Sequence, residues 1–196
     1  MINQIPYIFI AYLIGSVSFG IIASKIFNIT DPRTMGSKNP GATNVLRTGN
    51  KYAAIFTLLG DMLKASLVVG GAISLNITGN LFIAIALAVL IGHMFPIFYR
   101  FRGGKGVATA LGILLAINWI LALLTLTVWI TIFLVSKYSS LSAIAAAFSS
   151  PFIAYALNQD KDIIIISIIL AILVLLRHQG NIRNLINGTE SGFKRN

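Results

Sequence analysis

Three polar stretches interrupt an otherwise apolar chain, and the residue types in them could bind phosphate. The stretches cover residues 36–47, 100–106 and 177–183, and each combines basic side chains, amides and glycines. Arginine and lysine supply the charge that a phosphate needs, while successive backbone N–H groups in a turn form a concave site for an anion. Polar groups beside a membrane span are costly unless they have a function. The three stretches therefore predict a phosphate-binding site at one face of a membrane.

The first stretch contains turn residues and several hydrogen-bonding side chains. Gly36, Pro40 and Gly41 favour tight turns in which the backbone can approach a ligand closely. The alternative interpretation is an ordinary loop between helices, whose basic residues only set the topology. The candidate anion-binding residues of this stretch are Ser37, Asn39, Gly41, Thr43, Asn44 and Arg47.

The second stretch places Gly103, Gly104, Lys105 and Gly106 directly before a predicted helix that begins at Val107. A helix N-terminus favours an anion because its N–H groups are unpaired and its dipole is positive, and Lys105 adds a charge. The pattern is not a nucleotide-binding P-loop, because glycine follows the lysine where such a loop has serine or threonine. We expect these four residues to bind a phosphate.

The third stretch follows the last apolar run and contains Arg177, His178 and Asn181. On a helix, residues three apart share a face, so His178 and Asn181 can act on one ligand. The unperturbed pKa of histidine lies close to neutral pH, so His178 could be a general base or donate to a developing oxyanion. Glu190, beyond this stretch, is predicted either to be a base or to pair with a nearby cation.

Three titratable residues fall inside predicted membrane spans. Asp61 and Lys64 are three residues apart, so we expect them to pair with each other and to support the region around Arg47. His93 lies near the end of the next span. It is predicted to be a buried histidine that hydrogen-bonds to a neighbouring helix, where it could orient a catalytic group.

The composition is that of an integral membrane protein. Of the 196 residues, 57% are hydrophobic and 10% are charged, and the chain has no cysteine, two histidines and five carboxylates. Disulfides and cysteine nucleophiles are therefore excluded, and little material remains for a metal site. The net charge of +10 indicates either basic cytoplasmic loops or an anionic ligand, and no segment is large enough to form a nucleic-acid-binding surface.

The apolar runs predict an all-α integral membrane protein with about seven transmembrane helices in a single domain, residues 1–196. The run 107–136 is too long for one ordinary span, so it is either one crossing or two short helices broken near Asn118; we favour the break. The positive-inside rule then places the N-terminus outside and the C-terminus in the cytoplasm. All three motif loops become cytoplasmic, at about 28–51, 99–107 and 177–196.

In type, order and spacing, these motifs resemble those of the bacterial membrane acyl-phosphate:glycerol-3-phosphate acyltransferases, the PlsY family. The matching segments are residues 37–47, 92–109 and 177–190, so the resemblance covers essentially the whole chain. It implies an enzyme of the bacterial inner membrane, with its active site facing the cytoplasm. Such an enzyme moves an acyl group from an acyl-phosphate to the sn-1 hydroxyl of glycerol 3-phosphate, the first step of phospholipid synthesis. No metal or other cofactor is implied.

The resemblance also implies roles and partners. Ser37 and Arg47 would be essential for binding and chemistry, and Lys105 with its neighbouring glycines would hold the phosphate of glycerol 3-phosphate. His178 and Asn181 would position the reacting groups, and Glu190 would be mainly structural. The partners would be the two substrates and membrane lipid, with functional coupling to an acyl-phosphate-forming enzyme and to a 1-acyl-glycerol-3-phosphate acyltransferase.

Two questions stay open at the level of sequence. The base that removes the hydroxyl proton is either His178 or an oxygen of the substrate phosphate, and the second is favoured. The activity itself has two rivals, a membrane transporter of a phosphorylated small molecule and a structural membrane subunit. A transporter should show internal repeats and polar residues at the bilayer midplane, whereas here the polar groups cluster at one face.

Overall fold

The computed structural model describes residues 5–193, and that part of the chain is built from ten α-helices without a β-strand. A single 3₁₀ turn, Ile97–Tyr99, precedes the sixth helix. The helices are α1 (Ile5–Gly15), α2 (Phe19–Ile26), α3 (Ala42–Leu46), α4 (Lys51–Ser74), α5 (Gly79–Met94), α6 (Val107–Ile117), α7 (Trp119–Ser136), α8 (Ser139–Ala156), α9 (Lys161–Arg177) and α10 (Gln179–Ile186). The predicted all-helical fold is confirmed.

Four of these units are long and apolar enough to cross a membrane by themselves, and they contain α4, α5, α7 and α8. Two further candidates are bent pairs, α1 with α2 at 41° and α9 with α10 at 61°. The apolar α6 is shorter, at 11 residues. The described residues thus contain four to six candidate spans, and a seventh crossing by α6 stays a prediction. The direction in which each unit crosses stays a prediction.

The predicted break in the run 107–136 is confirmed at Asn118. The side chain of Asn118 accepts hydrogen bonds from the backbone N–H groups of Ile120 and Leu121, at 2.9 and 3.1 Å, and so caps the N-terminus of α7. The two helices are unequal, because α7 has 18 residues and can span alone. The apolar segment that contains α1 and α2 is likewise interrupted, between Gly15 and Phe19.

Glycine permits the closest helix contacts. A Cβ atom on Gly15 would collide with the backbone of Val89 in α5, and one on Gly112 would collide with the backbone of Met62 in α4. Close approach of backbones replaces the hydrophobic driving force that is missing between helices in lipid. These contacts draw α1 to α5 and α4 to α6. The groups around the site are therefore carried on closely packed helices.

Candidate active site

A cavity of about 610 Å³ opens between α4, α6, α7, α8 and α9 and is reached by all three polar stretches. Most of the polar lining lies where α8 begins and α9 ends, whereas mainly apolar side chains line the cavity further along the helices. The polar lining comprises Ser37, Asn39, Thr43, Asn44, Arg47, Lys51, Asp61, His93, Lys105, Thr125, Ser139, Ser140, Ser150, His178, Asn181, Glu190 and Ser191. The apolar lining includes Leu58, Leu111, Leu114, Leu126, Trp129, Ala143, Ala146, Ala147 and Leu170. The cavity can therefore hold a molecule with an anionic end and a long apolar end.

In the first polar stretch, Asn44 holds the loop together. Its Oδ1 accepts from the backbone N–H of Ser37 at 3.0 Å, and its Nδ2 donates to the carbonyls of Pro32 and Met35 at 2.7 and 3.1 Å. Both amide protons are therefore used inside the loop. The expectation that the Asn44 side chain donates to a phosphate is wrong, because a buried amide with this many loop partners has no donor left.

The other candidates of this stretch line the cavity. Gly41 precedes α3, and the hydroxyl of Thr43 lies 3.0 Å from the hydroxyl of Ser139 at the start of α8. The side chain of Ser37 makes no hydrogen bond within the described residues, and neither does that of Asn39. Both side chains are therefore available to a ligand.

Arg47 follows α3 and ties the first stretch to the tail. Its Nη2 donates to the carbonyl of Ser191 at 3.0 Å and contacts the Ser191 hydroxyl at 3.3 Å, and its guanidinium lies 6.0 Å from the centre of the Phe193 ring. The N–H of Phe193 in turn donates to the carbonyl of Lys137. The tail residues 191–193 thus form part of the cavity wall and hold Arg47 against it.

The first two glycines of the second stretch pack against His93 of α5. A Cβ atom on Gly103 would collide with the carbonyl of His93, and one on Gly104 would collide with the His93 ring. The N–H of Gly104 donates to the His93 carbonyl at 3.1 Å, so it is not free for a phosphate. Neither glycine lines the cavity. These glycines are needed because the loop packs tightly on α5, and direct binding of phosphate by their backbone stays a prediction.

Lys105 is the residue of this stretch that presents a charge to the cavity. It is half-buried, and its Nζ donates to Oδ1 of Asn181 at 2.6 Å. Burial lowers the pKa of Lys105, and repulsion by Arg177 and Arg47 lowers it further, while Glu190 opposes the change. Gly106 adopts a left-handed conformation, φ 86°, and leads into α6 as predicted.

The third stretch brings His178 and Asn181 to the cavity, as predicted. His178 is buried, and its Nδ1 lies 2.7 Å from the carbonyl of Val174. A carbonyl only accepts, so Nδ1 carries the proton and Nε2 is an acceptor. Burial lowers the pKa of His178 to about 4, against the opposing effect of the Val174 hydrogen bond. His178 is thus neutral at physiological pH.

A chain of hydrogen bonds runs from Lys105 across the tail to α8. Asn181 accepts from Lys105 and donates from Nδ2 to Oε1 of Glu190 at 2.7 Å, and the Ser140 hydroxyl donates to the same oxygen at 2.7 Å. Glu190 therefore accepts from neutral groups, instead of pairing directly with a cation as one of the two interpretations expected. These contacts join the tail, α10 and the start of α8.

A second charged cluster lies deeper, between α4 and α5. Lys64 donates from Nζ to Asp61 Oδ1 at 2.9 Å, to the Val17 carbonyl at 2.6 Å and to Nδ1 of His93 at 3.0 Å. All three titratable residues are buried, as expected for His93, and the predicted Asp61–Lys64 pair is confirmed. The pair supports His93 and the chain at Val17, however, and makes no hydrogen bond to Arg47 in the described part of the chain.

Sequence reasoning missed Ser139, Ser140 and Ser191 and assigned Arg177 no individual role beyond its place in the third stretch. Ser139 and Ser140 begin α8, and a pair of hydroxyl residues ahead of an apolar run is a helix-start signal. Arg177 donates to the carbonyls of Gly103 and Gly104 at 3.2–3.3 Å. No local pattern marks Ser191, because its contact with Arg47 spans 144 residues.

The arrangement suits polar transfer chemistry on a phosphate-bearing molecule. Arg47 and Lys105 offer positive charge, and His178 offers an unprotonated nitrogen in the same cavity. The carboxylates of Asp31, Asp61 and Glu190 are engaged by Arg33, Lys64 and the Ser140–Asn181 pair respectively. Between residues 5 and 193, no group of three or more His, Asp or Glu side chains is arranged to hold a metal ion.

Comparison with known proteins gives consistent matches along the chain. A family model described as glycerol-3-phosphate acyltransferase matches residues 5–188. The glycerol-3-phosphate acyltransferase of Methylobacillus flagellatus is 49% identical over 191 residues, which cover 97% of this chain and 97% of the relative. The protein of the same name from Cupriavidus pinatubonensis is 53% identical over 188 residues, which cover 92% of each.

Solved structures agree with these relatives. The crystal structure of PlsY (YgiH), an integral membrane glycerol 3-phosphate acyltransferase, in its glycerol 3-phosphate form has a TM-score of 0.92 and 35% sequence identity, and covers 98% of this chain and 96% of that one. Its lysophosphatidic acid form has a TM-score of 0.91 with the same coverage.

Proposed function

Because this chain belongs to the PlsY family of glycerol-3-phosphate acyltransferases, we propose that it acylates the sn-1 hydroxyl of glycerol 3-phosphate with an acyl-phosphate donor. Acyl transfer to glycerol 3-phosphate and a multi-pass membrane location follow from family membership. The donor, the position of acylation, the absence of a metal and the roles of individual residues are the parts proposed here.

The observation that carries the proposal is that one cavity has both a cationic end and an apolar end. Arg47 and Lys105 line the same cavity as Leu114, Trp129 and Leu170. From Ser140 to Ser150 along α8 the lining extends over about 15 Å, at ~1.5 Å per residue. Each methylene of an acyl chain buried there contributes ~0.8 kcal/mol to binding. The acyl chain would occupy the apolar end and present its phosphate to the cations.

The cationic end of the cavity can bind two phosphate groups. Lys105, with Asn181 beside it, would bind the phosphate of glycerol 3-phosphate, and Arg47, with Ser37 and Thr43 on the same stretch, would bind that of the donor. Cations fixed beside the reacting carbonyl stabilise the negative charge that develops in the transition state. Removing one such group from an enzyme site commonly costs about 100- to 1000-fold in rate.

The proposed reaction is a direct displacement at the acyl carbon. The sn-1 oxygen forms a bond to the carbonyl carbon, the bond from that carbon to the phosphate oxygen breaks, and the hydroxyl proton ends on phosphate. The products are 1-acyl-glycerol 3-phosphate and inorganic phosphate. Phosphate leaves readily, so the chain needs neither a cysteine nucleophile nor a strong acid.

The base is proposed to be a substrate phosphate oxygen, with His178 as an acceptor that orients the hydroxyl. The second pKa of a phosphate monoester is about 6, whereas burial lowers the pKa of His178 to about 4. The phosphate is therefore the stronger base of the two. A His178→Gln variant that retains most of the maximal rate at saturating substrate would support this assignment. A loss of about 1000-fold or more in that rate would favour His178 as the base.

In the cell, the proposed location is the bacterial inner membrane with the cavity mouth on the cytoplasmic side. There the enzyme would receive its donor from an acyl-phosphate-forming enzyme and pass its product to a 1-acyl-glycerol-3-phosphate acyltransferase. The basic residues of the motif loops support the cytoplasmic orientation by the positive-inside rule.

Phosphate release by the purified protein in detergent tests the proposed reaction. Palmitoyl-phosphate is supplied with or without glycerol 3-phosphate, in the presence of EDTA. We expect release that depends on glycerol 3-phosphate and is matched by lysophosphatidic acid. Activity only with another donor would refute the acyl-phosphate assignment, and activity abolished by EDTA would refute the metal-free mechanism. A folded sample without release would favour the transport alternative.

A further inference from the structure

Lys105 has a long flexible side chain, so its usefulness as a phosphate ligand depends on how firmly the preceding backbone is held. A lysine side chain has four carbons between the backbone and the ammonium and loses considerable rotamer entropy when it is fixed. The two residues before it are glycines, which are the most flexible residues in the unfolded chain. The loop must therefore be held by contacts from outside.

His93 holds one side of the two glycine residues. Its carbonyl accepts from the N–H of Gly104 at 3.1 Å, and its ring fills the space where a Cβ of Gly104 would lie. The ring is itself fixed, because Lys64 donates to its Nδ1 at 3.0 Å and Asp61 lies 3.5 Å from the same atom. His93 belongs to α5, so this support is anchored in the core of the protein.

Arg177 holds the opposite side. Its Nε and Nη2 donate to the carbonyl of Gly104 at 3.3 and 3.2 Å, and Nη2 also donates to the carbonyl of Gly103 at 3.3 Å. The guanidinium lies 5.0 Å from the centre of the Phe95 ring, which adds a cation–π contact. Arg177 does not line the cavity, so its hydrogen bonds go to the loop and not to a ligand.

We propose that His93 and Arg177 are positioning residues for Lys105, and that they act by clamping the Gly103 and Gly104 peptide groups between α5 and the end of α9. This inference rests on the proposed role of Lys105 as a ligand of the glycerol 3-phosphate phosphate. It gives a function to the buried Asp61–Lys64–His93 cluster, which otherwise touches neither phosphate ligand. It also gives Arg177 a role different from that of Arg47 and Lys105, the cations that are proposed to bind substrate.

The variant Arg177→Lys distinguishes a clamping role from a role of the positive charge. Arg177→Lys keeps the positive charge but cannot bridge two carbonyl groups with a planar fork. We therefore expect Arg177→Lys to weaken glycerol 3-phosphate binding about tenfold, measured by calorimetric titration of the purified protein without a donor. His93→Ala removes the ring that packs against Gly104 and should lower the affinity by a similar factor. Wild-type affinity in Arg177→Lys would overturn the inference.

A double-mutant cycle with Lys105→Met provides the decisive readout. If Arg177 and His93 act through Lys105, then either substitution added to Lys105→Met should change the affinity by less than about twofold, although each alone costs about tenfold. Equal losses in both backgrounds would show that the two residues act independently of Lys105 and would overturn the inference. A general loss of structure would also be the same in both backgrounds, so the cycle separates it from positioning.

The titration also separates this inference from the proposed function. Binding needs no acyl donor, so an error in the donor assignment leaves the cycle unaffected. If Lys105→Met alone bound glycerol 3-phosphate like the wild type, the phosphate-binding role of Lys105 would be refuted and the positioning role would fail with it. A retained role for Lys105 with additive effects of Arg177→Lys would refute only the positioning role.

Discussion

Two charged clusters meet the same cavity, yet they differ in how their charges are used. In the deeper cluster, Lys64 donates three hydrogen bonds, to Asp61, His93 and the Val17 carbonyl. At the mouth, Lys105 has one hydrogen bond, to a neutral amide, and lies in the field of two further cations. The deeper cluster is satisfied by the protein itself. The cluster at the mouth keeps a net positive charge, because three cations face one carboxylate, that of Glu190.

This difference indicates which cluster serves the fold and which serves a ligand. Charges in a low-dielectric interior must be paired and hydrogen-bonded, which the deeper cluster achieves. Cations held near one another without enough carboxylates repel, and a doubly charged phosphate relieves that repulsion. Substitutions of Asp61 and Lys64 should therefore act mainly on stability and substitutions at the mouth on activity, while His93 connects the two clusters through its contacts with Gly104.

The largest effect is expected at the mouth. Lys105→Met should lower kcat/KM for glycerol 3-phosphate at least about 100-fold, because it removes a charged ligand of the phosphate. The melting temperature in detergent should stay near that of the wild type, since Lys105 is only half-buried. Initial rates of phosphate release measure the first quantity. Lys161→Met is the matched control, because Lys161 is exposed at the start of α9, and it should leave the rate unchanged.

The deeper cluster should respond in stability. Lys64→Met leaves the Asp61 carboxylate buried without its partner, which costs about 3–5 kcal/mol. The double variant Asp61→Asn/Lys64→Met removes both charges and should recover most of that loss. Melting curves of the three proteins in one detergent test this expectation. A double variant less stable than Lys64→Met would show that the carboxylate matters for a reason other than pairing.

A smaller effect is expected from a substitution in the glycine loop, which connects the two clusters. In Gly104→Ala, the new methyl group meets the His93 ring, so the loop that carries Lys105 has to shift. KM for glycerol 3-phosphate should rise about tenfold. The control is Gly180→Ala, because a Cβ atom at this position would have no atom of the described residues within 4 Å. Unchanged kinetics in Gly104→Ala would mean that the loop tolerates displacement from α5.

The smallest expected effect is the pH dependence from His178. Burial lowers the pKa of this imidazole from 6.5 to about 4, so the folded protein binds fewer protons than the unfolded chain between these values. The stability that His178 contributes is therefore present above pH 6.5 and is lost as the pH falls toward 4. We expect the wild type and His178→Gln to show the same dependence of kcat on pH between 6 and 8. An inflection near pH 6.5 that His178→Gln removes would contradict the neutral histidine.

The sequence predicts the elements and the general position of the site because those depend on local patterns. The break at Asn118 follows from a capping residue within an apolar run that is too long for one span. The pairing of Asp61 with Lys64 follows from three-residue spacing on a helix. The meeting of the three polar stretches in one cavity agrees with the prediction that they share one membrane face.

Long-range partners could not be predicted, because a residue type shows what a side chain can bind and not what it does bind. Asn44 offers the same amide whether it faces a ligand or, as here, the carbonyls of Pro32 and Met35. Gly104 suggests space for a phosphate, yet the space is filled by His93 from another helix. The tail has no regular pattern after α10, so its contact with Arg47 is visible only in three dimensions.

The most direct test of the difference between the clusters is one calorimetric comparison of glycerol 3-phosphate binding by Lys105→Met and by Asp61→Asn/Lys64→Met. We expect Lys105→Met to lose at least about 30-fold in affinity. The double variant should stay within about threefold of the wild type, because the Gly104 N–H is held by the backbone carbonyl of His93, which the two substitutions leave in place. The reverse result, with affinity lost in the double variant and kept in Lys105→Met, would place the phosphate at the deeper cluster and contradict this account.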